Sequence, residues 1–345
     1  MSRLFFLLSG EHPTLPVSEL ISILQAEEYR FKLIGKLDQV LRIESESNCV
    51  ESIAERASMT RNCCLEIFAS KAEYEDILDK ASESPMECLL EDGDRIVVRV
   101  KRVKNSTPNL DRMKLERDLG AVIIDRKGSV KVDLKNPGKT FFGVITGDTF
   151  LFGLSLAEIR GGKFTLRNPM KRPFFHPTGM PAKMARCMVN LAAPKTGDLL
   201  SDFFCGTGSI LIEAGLIGCR VLGLDASRRM VEGARENLRF YGVEPEGLIV
   251  SDSRSPPISE TDCIVTDPPY GRSSSTMGST TREIVKAFLK ESSKILPSRG
   301  RICIASPVEV NMRGLCTEYG FKFLESHLVY VHKSLTREIT VLEAT

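Results

Sequence analysis

The chain has 345 residues, 42% hydrophobic and 27% charged, with a net charge of +2. Such a length suits two or three domains, and the composition excludes collagen-like, low-complexity and disordered chains. The charge is uneven: nine Lys/Arg against 19 Asp/Glu over residues 1–94, 20 against 7 over 95–186, and 18 against 19 over 187–345. A basic middle of this kind points to a polyanionic partner.

In chain order, the front predicts a strand at Leu4–Leu8, a helix from Pro16 to Glu28, and extended sequence through Phe31, Leu33, Val40, Leu41 and Ile43. The first strand is stopped by Glu11, His12 and Pro13, too soon for a secretory leader, and no run reaches the ~18–20 apolar residues of a membrane helix. A cytoplasmic protein is expected. A short helix (Ser52–Ser58), a strand (Cys63–Phe68), a helix (Tyr74–Ala81) and a strong strand at 95–101 follow. Next come a helix over Leu110–Leu119 and β-rich sequence at 129–134 and 140–156. Gly161–Pro181 is broken by Gly and Pro and predicts a connector.

From Ala182 helix and strand alternate. Helices are expected at Lys183–Leu191, Ser209–Leu216, Arg228–Tyr241 (with Ser227 as its cap) and Arg282–Leu296. Between them lie strands at Leu199–Phe204, Arg220–Leu224, Leu248–Val250, Cys263–Thr266 and Arg301–Ala305. Two strands, Leu328–His332 and Glu338–Leu342, close the chain. Repeating βα units imply an α/β fold with a mostly parallel sheet covered on both faces, the last two strands forming an added hairpin. None of the ten cysteines forms a CxxC pair, so buried free thiols and no metal site are expected.

The chemistry is concentrated at strand ends. Asp202-Phe203-Phe204-Cys205-Gly206-Thr207-Gly208-Ser209 closes one strand and opens a helix, where glycines let a ligand approach the backbone and helix N–H groups remain to be satisfied. A GxGxxG dinucleotide fingerprint is not completed, since Leu211 stands at its third glycine. Asp225, ending the next strand, suits a ribose diol, and Asp252 after the third suits an adenine amino group or a turn. The decisive motif is Asp267-Pro268-Pro269-Tyr270 after the apolar strand Cys263–Thr266. An exocyclic amino group on a base is a poor nucleophile because its lone pair is delocalised into the ring. A carboxylate and a carbonyl fixed between rigid prolines can draw its protons and let the nitrogen pyramidalise, while Tyr270 offers a stacking face.

On these residues the C-terminal half resembles Rossmann-fold, S-adenosylmethionine-dependent amino-methyltransferases with a (D/N/S)PP(Y/F) motif. Adding Arg172-Pro173-Phe174-Phe175-His176-Pro177 and Arg229-Met230-Val231-Glu232-Gly233-Ala234-Arg235, the whole chain resembles the tRNA (guanine-10-N2)-methyltransferase family of archaea and eukaryotes. The resemblance implies a ferredoxin-like segment over 1–48, a THUMP RNA-binding domain over 49–159, a basic linker over 160–181 and a Rossmann-fold methyltransferase domain over 182–345, its seven-stranded sheet ending in the hairpin. It also implies that Asp202, Cys205, Gly206, Gly208, Asp225 and Asp252 serve the S-adenosyl-L-methionine pocket and that Asp267, Pro268 and Tyr270 are catalytic. The partner is then tRNA, bound through the basic region 95–186.

Two further expectations concern loops. The acid-free stretch 160–186 carries seven positive residues, of which Lys163, Arg167, Lys171 and Arg172 are expected to touch RNA backbone. Gly271–Gly278 has the composition of a loop that orders over substrate. The amino-acceptor motif alone leaves other targets open: ribosomal RNA guanine, DNA adenine or a protein glutamine side chain. A non-catalytic RNA-binding protein retaining a nucleoside pocket is the alternative of another class.

Overall fold

The structure, a computed structural model, describes residues 1–269, 280–332 and 335–345. They form two compact units: Met1–Val17, Glu28–Ala54 and Thr60–Arg160 in the first, and Ser18–Glu27, Glu55–Met59 and Gly161–Thr345 in the second.

The first unit is built on strands β1 (Ser2–Leu8), β2 (Phe31–Leu37), β3 (Val40–Ser45), β4 (Thr60–Lys71), β5 (Arg95–Arg102), β6 (Lys131–Val132), β7 (Lys139–Thr146) and β8 (Thr149–Glu158). They make one sheet in the order β2-β3-β1-β4-β8-β7-β5-β6, antiparallel except where β5 meets β6 and β7. Helices α1 (Leu15–Ala26) and α2 (Cys49–Arg56) precede β2 and β4, each with its last part in the second unit. Helices α3 (Tyr74–Glu83) and α4 (Arg112–Lys127) bury Ile77, Leu115, Leu119 and Ile123 in one core with Phe68, Phe141, Phe150 and Phe152. Those rings lie 5.3–6.1 Å apart, within range of favourable aromatic packing. Helix α4 outruns its expected span because Asp111 caps it, accepting from Met113 and Lys114 N–H, and Ile123 buries a further turn. The expected strand at 129–134 shrinks to the two residues of β6.

The second unit contains α5 (Gly162–Leu166), α6 (Ala182–Leu191), β9 (Leu199–Asp202), α7 (Ser209–Gly215), β10 (Arg220–Asp225), α8 (Arg228–Phe240), β11 (Gly247–Val250) and β12 (Cys263–Thr266). It continues with α9 (Thr281–Ile295), β13 (Arg301–Pro307), α10 (Met312–Leu315), β14 (Phe321–His332) and β15 (Leu335–Ala344). The strand order is β11-β10-β9-β12-β13-β15-β14. Five strands run parallel, and the hairpin enters antiparallel to β13, as the βα pattern implies. Ile264, Ile302, Ile304 and Leu342 are sealed by Val285, Phe288 and Leu289 of α9, which explains why the β12 and β13 runs are apolar. Helix α9 is fixed by a capping box between Thr280 and Glu283. The connector expected at Gly161–Pro181 is ordered within this unit and carries α5 and a 3₁₀ turn at Pro169–Lys171. Among the described residues no helix is long and apolar enough to cross a membrane, and no three His, Cys, Asp or Glu gather as metal ligands.

Strand order turns outward in both directions from β9, with β10 on one side and β12 on the other. In open α/β sheets the crevice outside the carboxyl ends of such strands is where ligands bind.

Candidate active site

After Asp202 the chain turns through Phe203–Gly208 into α7. Gly206 (φ +49°) and Gly208 (φ +80°) hold left-handed conformations, which explains the choice of glycine at both positions. A Cβ on Gly208 would meet that of Ala234 on α8 at 3.4 Å, an ordinary contact, so the positive φ and not crowding calls for glycine there. Gly208 N–H donates to the Cys205 carbonyl (2.7 Å) and Cys205 N–H to the Leu224 carbonyl (2.8 Å), hooking the turn onto the end of β10. Thus Cys205 contributes through its backbone, while burial pushes its thiol well above the ordinary range. Asp225, the last residue of β10, accepts from Gly206 N–H at 2.9 Å and Ser227 N–H at 2.8 Å. Its carboxylate therefore joins the glycine turn to the start of α8. Burial raises its pKa and the two donors oppose the rise. Thr207 Oγ1, in the middle of the turn, is buried without a hydrogen-bond partner among the described residues. An unsatisfied hydroxyl beside a tight glycine turn and a strand-end carboxylate fits a polar nucleoside ligand.

Asp202 lies below this turn and is 1% exposed. Its Oδ1 accepts from Thr266 Oγ1 (2.6 Å) and Phe204 N–H (3.1 Å). Burial, opposed by these hydrogen bonds and reinforced by the negative charges of Asp267 and Asp225, pushes its pKa up to about 7. A carboxyl that holds its proton more tightly folded than unfolded stabilises the fold at low pH, and that contribution is lost as pH rises toward its folded value. Between pH 5 and pH 8.5 the wild type is therefore expected to lose about 2–3 kcal/mol relative to Asp202→Asn, which does not titrate. Chemical denaturation at the two pH values checks this, and an equal gap at both would show that Asp202 is ionised throughout.

Asp267 and Pro268 follow β12 directly, one strand from Asp202, and the two carboxylates interact electrostatically. Pro268 is buried and Asp267 largely so. Arg337, on the returning strand β15, places Nη1 3.4 Å from Asp267 Oδ2. Tyr270 and the loop Gly271–Gly278 lie outside the described residues. Asp252 follows β11 as expected, but it is partly exposed and Arg254 engages both of its carboxylate oxygens at 2.6–3.0 Å. That hydrogen bonding holds its pKa below the usual carboxylate range, and any ligand group taking Asp252 must compete with Arg254.

The acid-free stretch requires a correction. Arg167 makes a two-pronged pair with Glu213 of α7 (2.7 and 2.9 Å), and Arg172 is 5% exposed, donating to Ser209 Oγ and the Arg167 carbonyl. Neither guanidinium faces outward for RNA. The sequence shows no acid nearby because the partner, Glu213, lies over 40 residues on. Lys171 remains exposed, and Lys163 donates to the Glu55 carbonyl at 3.1 Å.

Instead, the stretch braces the glycine turn. Phe174 N–H donates to Asn237 Oδ1, while Asn237 Nδ2 donates to the carbonyls of Phe174 and Thr207, all at 2.9–3.0 Å. The Phe174 ring fills the space that a Cβ on Gly233 would occupy, at 2.1 Å. Asn237 is fully buried on α8, where helical periodicity shows a core position and nothing about its three bonds. Asn237→Ala is expected to cost about 2–3 kcal/mol of stability and to weaken cofactor binding about tenfold. Melting and calorimetric titration check this; an unchanged affinity would show that the turn keeps its shape unbraced.

Comparison with known proteins extends this geometry. Residues 169–339 match the model of an RMKL-like methyltransferase domain, and residues 71–154 that of a THUMP domain. The tRNA (guanine(10)-N2)-dimethyltransferase of Methanothermobacter thermautotrophicus is 38% identical over 342 residues, covering 99% of each chain. The chain belongs to the tRNA (guanine(10)-N2)-methyltransferase family. A second member, from Methanocaldococcus jannaschii, is 29% identical and covers 97% of this chain and 98% of its own. Among solved structures, TrmN from Thermus thermophilus shares the fold across 99% of this chain and 100% of its own, at a TM-score of 0.56 and 19% identity. The fold is thus that of a Rossmann-type methyltransferase domain preceded by a THUMP domain.

Proposed function

We propose that the chain methylates the exocyclic N2 of guanosine 10 in tRNA, using S-adenosyl-L-methionine. The observation that carries this reading is the placement of Asp267 and Pro268 at the end of β12, beside the Asp202–glycine turn–Asp225 cluster at the sheet's switch point. Asp202, Cys205, Gly206, Gly208, Asp225 and Asp252 would hold the cofactor, which supplies an electrophilic methyl group. Asp225 fits a ribose diol, and the Gly206 and Gly208 backbones admit close approach. Asp267 accepts a hydrogen bond from one N–H of the N2 amino group and opposes the positive charge that grows on nitrogen; the Pro268 carbonyl accepts a hydrogen bond from the other N–H. Both draw the lone pair out of conjugation with the ring. The proton released when the carbon–nitrogen bond forms leaves toward Asp267. We assign Tyr270 to stacking against the base.

N2 of a guanosine in a helix is paired, so the base must be exposed or flipped at a cost of a few kcal/mol. Recognition of tRNA then depends on shape and charge, for which Arg95, Arg99 and Lys101 project from β5 of the first unit. The cytoplasm is the compartment where we place this activity. The test is to incubate the protein with labelled S-adenosylmethionine and a tRNA transcript, digest the RNA and identify the nucleoside. Label in N2-methyl- or N2,N2-dimethylguanosine, lost when guanosine 10 is replaced, is expected. No label in tRNA with cofactor binding intact would overturn the substrate and direct the search to ribosomal RNA and DNA.

A further inference from the structure

We infer that Arg337 is a positioning residue that fixes and keeps ionised the Asp267 carboxylate, so that the C-terminal hairpin is part of the methyl-transfer machinery. The inference rests on the reading of Asp267 as the proton acceptor for N2.

Three acids converge at the carboxyl edge of the sheet: Asp202 from β9, Asp225 from β10 and Asp267 after β12, and the latter two act on Asp202 as like charges. Such a group shares protons, and chemistry requires a particular distribution. A protonated Asp267 would offer a hydrogen where the amino group needs an acceptor. Arg337 enters from outside the parallel layer. Antiparallel pairing sets Arg337 opposite Pro307 at the end of β13 and opposite Val329 on β14, and its side chain, 20% exposed, reaches Asp267 Oδ2 at 3.4 Å. Arginine stays charged at every working pH and presents a planar fork to a carboxylate. A guanidinium there favours the ionised form of Asp267, leaving the proton to Asp202, which hydrogen-bonds Thr266 and Phe204 instead. It also fixes the direction of the carboxylate plane. A single pairing slip in the hairpin would send Arg337 to the other face.

The experiment compares wild type, Arg337→Gln, Arg337→Lys and Asp267→Asn as full chains. Cofactor affinity and melting temperature serve as folding controls, and kcat and KM for tRNA are measured from pH 5 to 9. Arg337→Gln is expected to lower kcat on the order of 10–100-fold with KM for tRNA and cofactor affinity little changed. Its acidic limb in kcat/KM should move toward neutral pH by about one pH unit or more. Arg337→Lys should return the limb to its wild-type position and recover part of kcat. If Arg337→Gln keeps the wild-type limb, or Arg337→Lys behaves as Arg337→Gln does, Arg337 is structural only and the inference is wrong. If Asp267→Asn retains wild-type turnover, the acceptor reading falls and takes this inference with it.

Discussion

Asp267→Ala is expected to lower kcat by a factor of about 10³ or more while cofactor affinity stays within about threefold. Asp267 follows an apolar strand whose residues are buried and is not part of its ladder, so truncating it leaves the sheet intact. On the proposed mechanism, what is lost is the acceptor that makes the amino nitrogen nucleophilic and offsets its developing charge, an interaction stronger in the transition state than in the ground state. Asp267→Asn keeps a carbonyl acceptor without the charge and should fall between the two. Single-turnover methylation with saturating cofactor separates the chemical step from product release. Turnover by the Ala variant within tenfold of wild type would remove Asp267 from the mechanism.

Glu213→Ala is expected to destabilise the second unit by about 3–5 kcal/mol. Glu213 is fully buried and receives Arg167 through two hydrogen bonds and Arg186 at 3.0 Å. Without it, two largely buried guanidiniums are left uncompensated near Arg172, and such charges cannot deprotonate to escape. Denaturant titration measures the loss. Arg167→Ala should likewise lower stability without changing the salt dependence of tRNA binding, because its guanidinium is engaged by Glu213. A reduced salt slope for that variant would reinstate Arg167 as part of the RNA footprint.

The elements that sequence made legible are those whose chemistry is local. The CGTG turn, Asp225 and Asp267 sit at strand ends, and period and glycine placement alone put them on one edge of a parallel sheet. Arg337 was invisible because it reaches Asp267 only through the antiparallel return of the hairpin, 70 residues later. Asn237 read as an ordinary core-facing helix position. The acid-free stretch misleads for a related reason: local absence of acids predicts exposed cations only if no distant acid is buried beside them, and Glu213 is. The full length of helix α4 depends on the Asp111 cap and a final buried turn, which apolar spacing alone does not show.

The second unit is discontinuous in sequence. Glu19, fully buried, accepts from Ser58 N–H and Oγ, Met59 N–H and Asn190 Nδ2, while Arg56 donates to Asn190 Oδ1 and the Pro194 carbonyl. During vectorial synthesis Glu55–Met59 leaves the ribosome about 120 residues, and Ser18–Glu27 about 155 residues, before α6 does. At about 5–20 residues per second, these early segments wait roughly 6–30 s for the partners that complete their hydrogen bonds. A chain begun at Gly161 would never receive them. Asn190 would then lose Glu19 and Arg56, and Arg186 would keep Glu213 but lose the Glu55 and Arg56 carbonyls, so the catalytic half matures only on a chain that has already made its beginning.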